Sequence, residues 1–326
     1  MVNSAILMPN WIGDFILALS VVSRKIQDKS ERLTLIVPER LAEISKLLVD
    51  LPVVIYKRKN RAEVRSSVAA VKELRFDTVY ILPHSFSSAW FAFNCRIKHR
   101  KGITGELRSF LLTEYVSRRT ASRKHHLTDE YSKVLAVSCQ EPLFWKGVTI
   151  RHSPEYAGAV VLCPGAAYGP SKQWPGFSSL VKMLPDREIV ILGDKRDGEI
   201  ASVIAPRMPH RVHNLAGKTT LQQAAEIIAG ASVVVSNDSG LMHLAGYLGR
   251  PVVGIFGSTA PVWTRPLGIK VRIARNHVEC SPCYKRYCPE KHYNCLHGIK
   301  PQFVVNLVKE IIDNALVPAN IKSDRP

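Results

Sequence analysis

Short apolar runs rich in β-branched residues alternate along this chain with segments whose apolar residues recur every three or four positions. Residues 5–9, Leu33–Val37 and Thr78–Leu82 are runs of the first kind and read as buried strands. Gly13-Asp14 opens a helix whose apolar face is Phe15, Ile16, Leu19, Val22 and Ile26, and Pro38 ends the second strand. The pattern weakens between about 140 and 157, where Glu141-Pro142, Trp145-Lys146-Gly147 and His152-Ser153-Pro154 read as a connection. It restarts with strands at Ala159–Cys163, Glu188–Leu192, Ala231–Val235 and Pro251–Phe256, and closes with an amphipathic helix over 302–316. Strands alternating with helices predict parallel α/β sheets. The expected organisation is two domains, 1–152 and 153–318, with a cleft facing the carboxyl ends of both sheets and a flexible tail at 319–326.

The segment Ser236-Asn237-Asp238-Ser239-Gly240-Leu241-Met242-His243 lies between two of these strands. Leu241, Leu244, Ala245 and Leu248 follow at helical spacing, until Gly249 and Pro251 stop the helix. The turn therefore sits at the carboxyl end of a parallel strand and at the amino end of a helix. Two readings fit it. Free N–H groups and the helix dipole favour a bound phosphate, with Gly240 allowing close approach. Alternatively, Asp238 and Ser239 cap the helix and nothing more.

Three further loops carry candidate chemistry. Asp14 follows the first strand, as a proton acceptor for an incoming hydroxyl or as a helix-terminal carboxylate. Cys163-Pro164-Gly165-Ala166-Ala167-Tyr168-Gly169-Pro170-Ser171-Lys172-Gln173-Trp174-Pro175 is a bent loop presenting Lys172, which suits a diphosphate but lacks the Gly-Lys-Ser/Thr end of a Walker loop. Gly193-Asp194-Lys195-Arg196-Asp197 stands where an acidic side chain reaches a nucleoside. Cys280, Cys283, Cys288 and Cys295, with His292 and His297 nearby, have a spacing that permits a small structural metal site but matches no common zinc module; a thiol-rich packing loop is the other reading.

Composition narrows the class. The chain has 326 residues, enough for two cores, and no apolar run nears the roughly 18 residues of a membrane span. The uncharged N-terminus runs straight into a strand, which predicts no secretory signal, and seven cysteines predict a reducing cytosol. The net charge is +18; residues 96–124 alone hold nine basic side chains (Arg96, Lys98, Arg100, Lys101, Arg108, Arg118, Arg119, Arg123, Lys124) against Glu106 and Glu114. Such a cluster attracts a polyanion, whether nucleic acid, anionic lipid headgroups or a phosphorylated glycan, or is a solvated loop. Nucleic acid is not expected, because no interleaved basic and aromatic motif occurs. No G-x-G-x-x-G, no G-x-S-x-G and no Asp-x-Asp is present, which counts against a dinucleotide dehydrogenase, an α/β-hydrolase and a metal-dependent glycosyltransferase.

Together the segments Pro9–Asp14, Tyr80–Phe86, His99–Gly102, Cys163–Ala166 through Lys172–Pro175, Asn214–Gly217 and Asn237–His243 resemble glycosyltransferase family 9, the ADP-heptose:lipopolysaccharide heptosyltransferases, and within it the heptosyltransferase II type. The resemblance implies the α/β glycosyltransferase-B fold, two Rossmann-like domains with the acceptor on the first and the nucleotide sugar on the second. It implies inverting transfer of L-glycero-D-manno-heptose from ADP-heptose to the inner core of lipopolysaccharide, as the second heptose; the alternative is another nucleotide-sugar transfer to a different envelope glycan. It implies Asp14 as base and Lys172 at the diphosphate. Donor contacts are expected from Ala167, Tyr168, Lys172, Asp197, Thr219, Asp238, Ser239, Gly240 and His243, and acceptor contacts from Asn10, Trp11, His84, Ser85, Arg100, Lys101 and Arg108. Some members carry Thr-Thr where this chain has Ala167-Tyr168, so Ser171 or backbone N–H groups are expected to replace those hydroxyls. No cofactor and no catalytic metal are expected. The implied partners are ADP-heptose, a lipid A–Kdo–heptose acceptor and the anionic inner face of the inner membrane, with a monomeric, cytoplasmic, peripheral enzyme.

Overall fold

The computed structural model describes residues 1–105, 107–117, 123–138, 147–204, 210–268 and 270–316. Glu106, Arg118, Arg119, the first part of the expected connection (residues up to 146) and the tail at 319–326 lie outside the described residues. The chain forms two compact units. One comprises Met1–Ile150, Thr220–Gln222 and Ala260–Leu267; the other comprises Arg151–Thr219, Gln223–Thr259 and the chain from Gly268.

The first unit is built on six parallel strands: β1 (Val2–Leu7), β2 (Glu31–Pro38), β3 (Val53–Tyr56), β4 (Thr78–Ile81), β5 (His99–Ile103) and β6 (Glu114–Val116), in the order β3-β2-β1-β4-β5-β6. Its helices are α1 (Ile12–Lys25), α2 (Ala42–Leu48), α3 (Arg61–Glu73), α4 (Phe86–Asn94) and α5 (Leu127–Leu135). Ala5, Ile6 and Leu7 of β1 and Leu35, Ile36 and Val37 of β2 are all buried, because helices cover both faces of a parallel sheet. Helix starts follow local chemistry. Asn60 accepts from the Glu63 N–H at 2.9 Å at the start of α3, and Ser85 occupies the same position before α4.

The second unit repeats the topology. Strands β7 (Val160–Cys163), β8 (Ile189–Ile191), β9 (Val212–Asn214), β10 (Val233–Asn237), β11 (Val252–Phe256) and β12 (Val271–Arg275) run in the order β12-β11-β10-β7-β8-β9, again all parallel. Its helices are α6 (Phe177–Lys182), α7 (Gly198–Ile204), α8 (Leu221–Gly230) and α9 (Gly240–Tyr247). After α10 (Pro261–Thr264), which belongs to the first unit, come α11 (Asn294–His297) and α12 (Pro301–Leu316). Every residue of β7, β10 and β11 is buried. Trp174, Phe177, Leu296, Val304 and Val308 pack over them to form the core.

In each sheet the strand order reverses once, between β1 and β4 and between β7 and β10. Loops leaving adjacent strands on either side of such a reversal splay apart and leave a crevice, which is where open α/β sheets bind ligands. Asp14 follows β1, His84 follows β4, the Pro164–Lys172 loop follows β7 and Asp238 follows β10. Each reversal therefore carries one pair of the loops singled out in the sequence.

Candidate active site

In the first unit Asp14 occupies the first turn of α1 and is half-buried. Tyr131 of α5 is wholly buried beside it. Burial, and then the carboxylates of Asp14 and Glu130, push its phenol far above the ordinary range, so it stays protonated near neutrality. Glu130, itself buried, brings Oε2 to 3.2 Å from His84 Nε2, an ion-pair distance without hydrogen-bond alignment. Asp14, Tyr131, Glu130 and His84 thus form one polar cluster. The sequence reading included Asp14 and His84 and missed the two residues of α5, which carry no motif.

Asn10 and Trp11 are held by arginines. The Arg40 guanidinium donates to the Asn10 carbonyl and lies 5.8 Å from the Trp11 ring centre. With its amide oxygen turned toward Arg58, Asn10 accepts from both terminal guanidinium nitrogens at 2.7 and 2.9 Å. Trp11 is 62% exposed, so its ring is available to a ligand. Ser85 starts α4, and Lys101 is half-buried on β5.

Two expected acceptor contacts have other work. Arg108 is completely buried. Its guanidinium donates to the carbonyls of Ile103 (2.9 Å), Pro83 (2.6 Å) and Ser85 (3.0 Å), so it fixes the loop carrying His84 instead of meeting a ligand. A Cβ at Gly102 would come within 2.8 Å of that guanidinium, which accounts for the glycine in His99-Arg100-Lys101-Gly102. Arg100 donates to the carbonyls of Leu111 (2.7 Å) and Ile97 (2.6 Å) and packs over Phe93; it too is a brace.

The second unit converges on a buried ion pair. Lys172 Nζ lies 2.5 Å from Asp238 Oδ2, and the two side chains are 13% and 3% exposed. Thr259, after β11, donates to the same oxygen at 2.6 Å, while His243 Nε2 stands 3.8 Å from Asp238 Oδ1. Tyr168 places its ring 5.0 Å from the Lys172 ammonium. Asn237 ties the parts together: its amide donates to Pro164 O at 2.6 Å and accepts from Trp174 N–H at 3.2 Å.

The start of α9 bears on the two readings of the octapeptide. Ser239 sits at the N-cap position but its side chain makes no capping bond; its hydroxyl is 3.2 Å from that of Ser236. The Asp238 carboxylate turns to Lys172 and Thr259. A helix start built in this way presents first-turn N–H groups beside a lysine, the arrangement that suits a phosphate.

Other expected donor residues are distributed as follows. Ala167 and Tyr168 are exposed, and Thr219 is half-buried in the loop after β9. Asp197 accepts from Asp194 N–H at 2.9 Å, and a Cβ on Gly165 would meet its carboxylate at 2.1 Å. Burial raises the Asp197 pKa, opposed by that backbone bond. Ser171 does not replace the missing hydroxyls of the phosphate loop. It is buried and donates to the Lys285 carbonyl.

That last contact is one of several between the Lys172 loop and the cysteine segment. Tyr168 Oη donates to Tyr284 O at 2.5 Å, and the Ser171 N–H donates to Arg286 O at 3.3 Å, so residues 284–286 wrap the Lys172 loop. Cys280, Cys283, Cys288 and Cys295 are free thiols. Among the described residues, no group of three or more His, Cys, Asp or Glu side chains is arranged to hold a metal ion.

The model of glycosyltransferase family 9 (heptosyltransferase) matches residues 64–294, most of both units. The chain belongs to this family. Lipopolysaccharide heptosyltransferase 2 of Escherichia coli K12 is 28% identical to this family 9 glycosyltransferase, over 93% of this chain and 97% of the relative. Lipooligosaccharide heptosyltransferase 2 of Haemophilus influenzae is 28% identical over 84% and 88%. The solved structure of E. coli ADP-heptose lipopolysaccharide heptosyltransferase II matches with a TM-score of 0.82 at 25% identity, covering 97% of this chain and all of that one. The two six-stranded parallel sheets are thus the glycosyltransferase-B architecture of the family 9 enzymes.

Proposed function

We propose that this family 9 glycosyltransferase moves L-glycero-D-manno-heptose from ADP-heptose to the inner core of lipopolysaccharide, as the second heptose. The observation that carries the donor side is the Lys172–Asp238–Thr259 cluster beside the start of α9. The full-length likeness to heptosyltransferase 2 enzymes supports the sugar and the acceptor.

The chemistry follows from charge. As the bond from the anomeric carbon to the diphosphate lengthens, negative charge grows on the departing ADP. The Lys172 ammonium and the N–H groups of α9 offset that charge, an electrostatic contribution already in place before reaction. Asp238 and Thr259 keep the lysine from swinging into solvent. Asp14 takes the proton of the attacking acceptor hydroxyl, and the heptose is transferred with inversion. Acceptor recognition rests on Asn10, Trp11, His84, Ser85 and Lys101, with Arg108 and Arg100 acting through the loops they hold. Among the described residues no helix is long and apolar enough to cross a membrane. We assign the enzyme to the cytoplasmic face of the inner membrane, where a nucleotide sugar and a lipid-linked acceptor meet.

The test is mass spectrometry of lipopolysaccharide from a strain lacking the gene, paired with purified enzyme acting on that truncated material. The expected result is a core ending after one heptose, extended by one heptose unit when enzyme and ADP-heptose are added. A core of unchanged mass overturns the acceptor; extension only by a different nucleotide sugar overturns the donor.

A further inference from the structure

Helix α4 is apolar on both of its sides. Ala89, Phe91 and Ala92 are buried in the core of the first unit. Phe86, Trp90 and Phe93, at positions i, i+4 and i+7, share the other face and are 39%, 48% and 45% exposed. Their rings stack in a row, 6.1 Å from Phe86 to Trp90 and 6.0 Å from Trp90 to Phe93. Phe110, 71% exposed, extends the row at 6.3 Å from Phe86. A surface helix normally turns polar residues outward, and a contiguous exposed aromatic patch marks an interaction face.

The surroundings of the row define its partner. A groove of about 970 Å³ between α3 and α4 has Trp90 on one side, with Val64 and Val68 half-buried in it and Arg61, Arg65 and Lys72 exposed around it. Among the described residues no carboxylate lines it. Arg96 and Lys98 follow directly at the end of α4 and are exposed. Residues 57–101 together hold 11 basic side chains against three acidic ones. Aromatic rings favour the headgroup level of a bilayer, and exposed lysines and arginines are drawn to an anionic leaflet. Stable surface binding needs two such signals at once, and this face supplies both.

We propose that the aromatic row of α4 and Phe110, with its basic border, docks the enzyme on the surface of an anionic phospholipid bilayer. The rings of Trp90, Phe93 and Phe110 enter the headgroup region, and Arg61, Arg65 and Lys72 meet lipid phosphates. The inference deepens the proposed function by naming the surface that brings the enzyme to a lipid-linked acceptor, but the docking itself requires neither sugar nor nucleotide.

Co-sedimentation with vesicles of phosphatidylethanolamine and phosphatidylglycerol (7:3), against pure phosphatidylcholine, tests it on the full chain. The expected result is at least tenfold tighter binding to the anionic vesicles, weakened by 0.5 M salt. W90S/F93S/F110S and R61E/R65E/K72E should each lose at least tenfold, while ADP binding by calorimetry stays within twofold and certifies the fold. Quenching of tryptophan emission by brominated phosphatidylglycerol should drop in Trp90→Phe. Wild-type enzyme that does not sediment with anionic vesicles, or variants that bind them as wild type does, overturn the proposal. So does a wild-type enzyme that self-associates through this face without binding lipid, in which case the face joins two copies of the chain. Vesicle binding without heptose transfer would instead refute the proposed function and leave the docking face standing.

Discussion

Lys172 and Asp238, 66 residues apart in the chain, close a 2.5 Å ion pair in which the carboxylate is almost wholly withdrawn from water. A buried carboxylate of this kind must keep its partner, since removing one member leaves an uncompensated charge at a cost of about 3–5 kcal/mol. On the proposed function, the pair links donor binding to folding. Lys172→Ala is expected to weaken ADP binding by at least tenfold, consistent with about 1.5–3 kcal/mol for a charge-assisted contact. It should also lower the thermal midpoint, and the double variant Lys172→Ala/Asp238→Asn should regain stability without regaining affinity. Calorimetry and thermal unfolding read the two effects separately; unchanged ADP affinity would remove Lys172 from the diphosphate.

Asp14→Asn should bind ADP-heptose nearly as the parent does and lose turnover by about two orders of magnitude or more, because the amide keeps the shape and cannot accept a proton. Initial rates against binding isotherms make the comparison. Turnover within a few-fold of the parent would assign the base elsewhere.

Arg108→Ala removes three charge-assisted bonds from the loops that carry Ile103, Pro83 and Ser85. The expected outcome is a loss of about 3 kcal/mol in stability, read from the denaturant midpoint, and a raised KM for the acceptor. ADP affinity should hold, because the residues proposed to bind the nucleotide belong to the other unit. Equal effects on donor and acceptor would show that the damage is global.

Gly165→Ala tests how tightly the phosphate loop is seated. The new methyl would overlap the Asp197 carboxylate at 2.1 Å, so the carboxylate must give up its bond to the Asp194 N–H and swing away, or the loop or the 3-10 turn at Lys195–Asp197 has to move. ADP binding should weaken at least tenfold, and Asp197→Ala in the same chain should recover part of it. A Gly165→Ala enzyme with parental affinity would mean that this loop does not touch the nucleotide.

Part of the acid sensitivity should arise in the first unit. Burial alone would raise the Glu31 pKa, but hydrogen bonds from Lys25 (2.5 Å) and Tyr80 (2.9 Å) help to outweigh it and the net shift is downward. A depressed folded-state pKa contributes stability above the unfolded value, near 4.3, and that contribution is lost as pH falls through the folded value. Asp28, lowered to about 2 by its bonds to Ser30 and Lys25, acts with the same sign. Circular dichroism of Glu31→Gln between pH 6 and pH 2.5 should show a lower plateau and a shallower acid limb than the parent. Identical slopes would exclude Glu31 as a source of the acid limb.

The strands nearest the middle of each sheet were legible in the sequence because a parallel strand covered on both faces must be an almost unbroken apolar run, as in Val160–Cys163 and Val252–Phe256. Those further out were not. β5 begins with His99-Arg100-Lys101, and β3, β6, β9 and β12 are short or partly exposed. Their strand character comes from the neighbour they pair with rather than from their own residues. The same holds for the candidate residues of each unit. Asp14 in the first, and Lys172 and Asp238 in the second, follow strand ends with recognisable spacing, whereas Tyr131 and Glu130 sit inside an ordinary helix and reach Asp14 and His84 only through packing. Thr259 had a faint signal, since it follows β11 in the loop Gly257-Ser258-Thr259, beside the strand that ends in Asn237. Arg108 and Ser171 misled in the opposite direction. A cation or a hydroxyl near a motif suggests a ligand contact until the carbonyls that enclose it are known.

The loop bearing Lys172 is fastened to the segment 284–286 largely through carbonyl oxygens, those of Tyr284, Lys285 and Arg286. A carbonyl belongs to the main chain whatever residue carries it. The grip on Lys172 is thus asymmetric in evolutionary terms: Tyr168 and Ser171 are constrained by their hydroxyls, while Tyr284 and Lys285 receive them on the backbone, and Arg286 is held further by its own side chain, which donates to the Ala167 carbonyl at 3.3 Å. Descendants of this gene are therefore more tightly constrained at Arg286 than at Lys285.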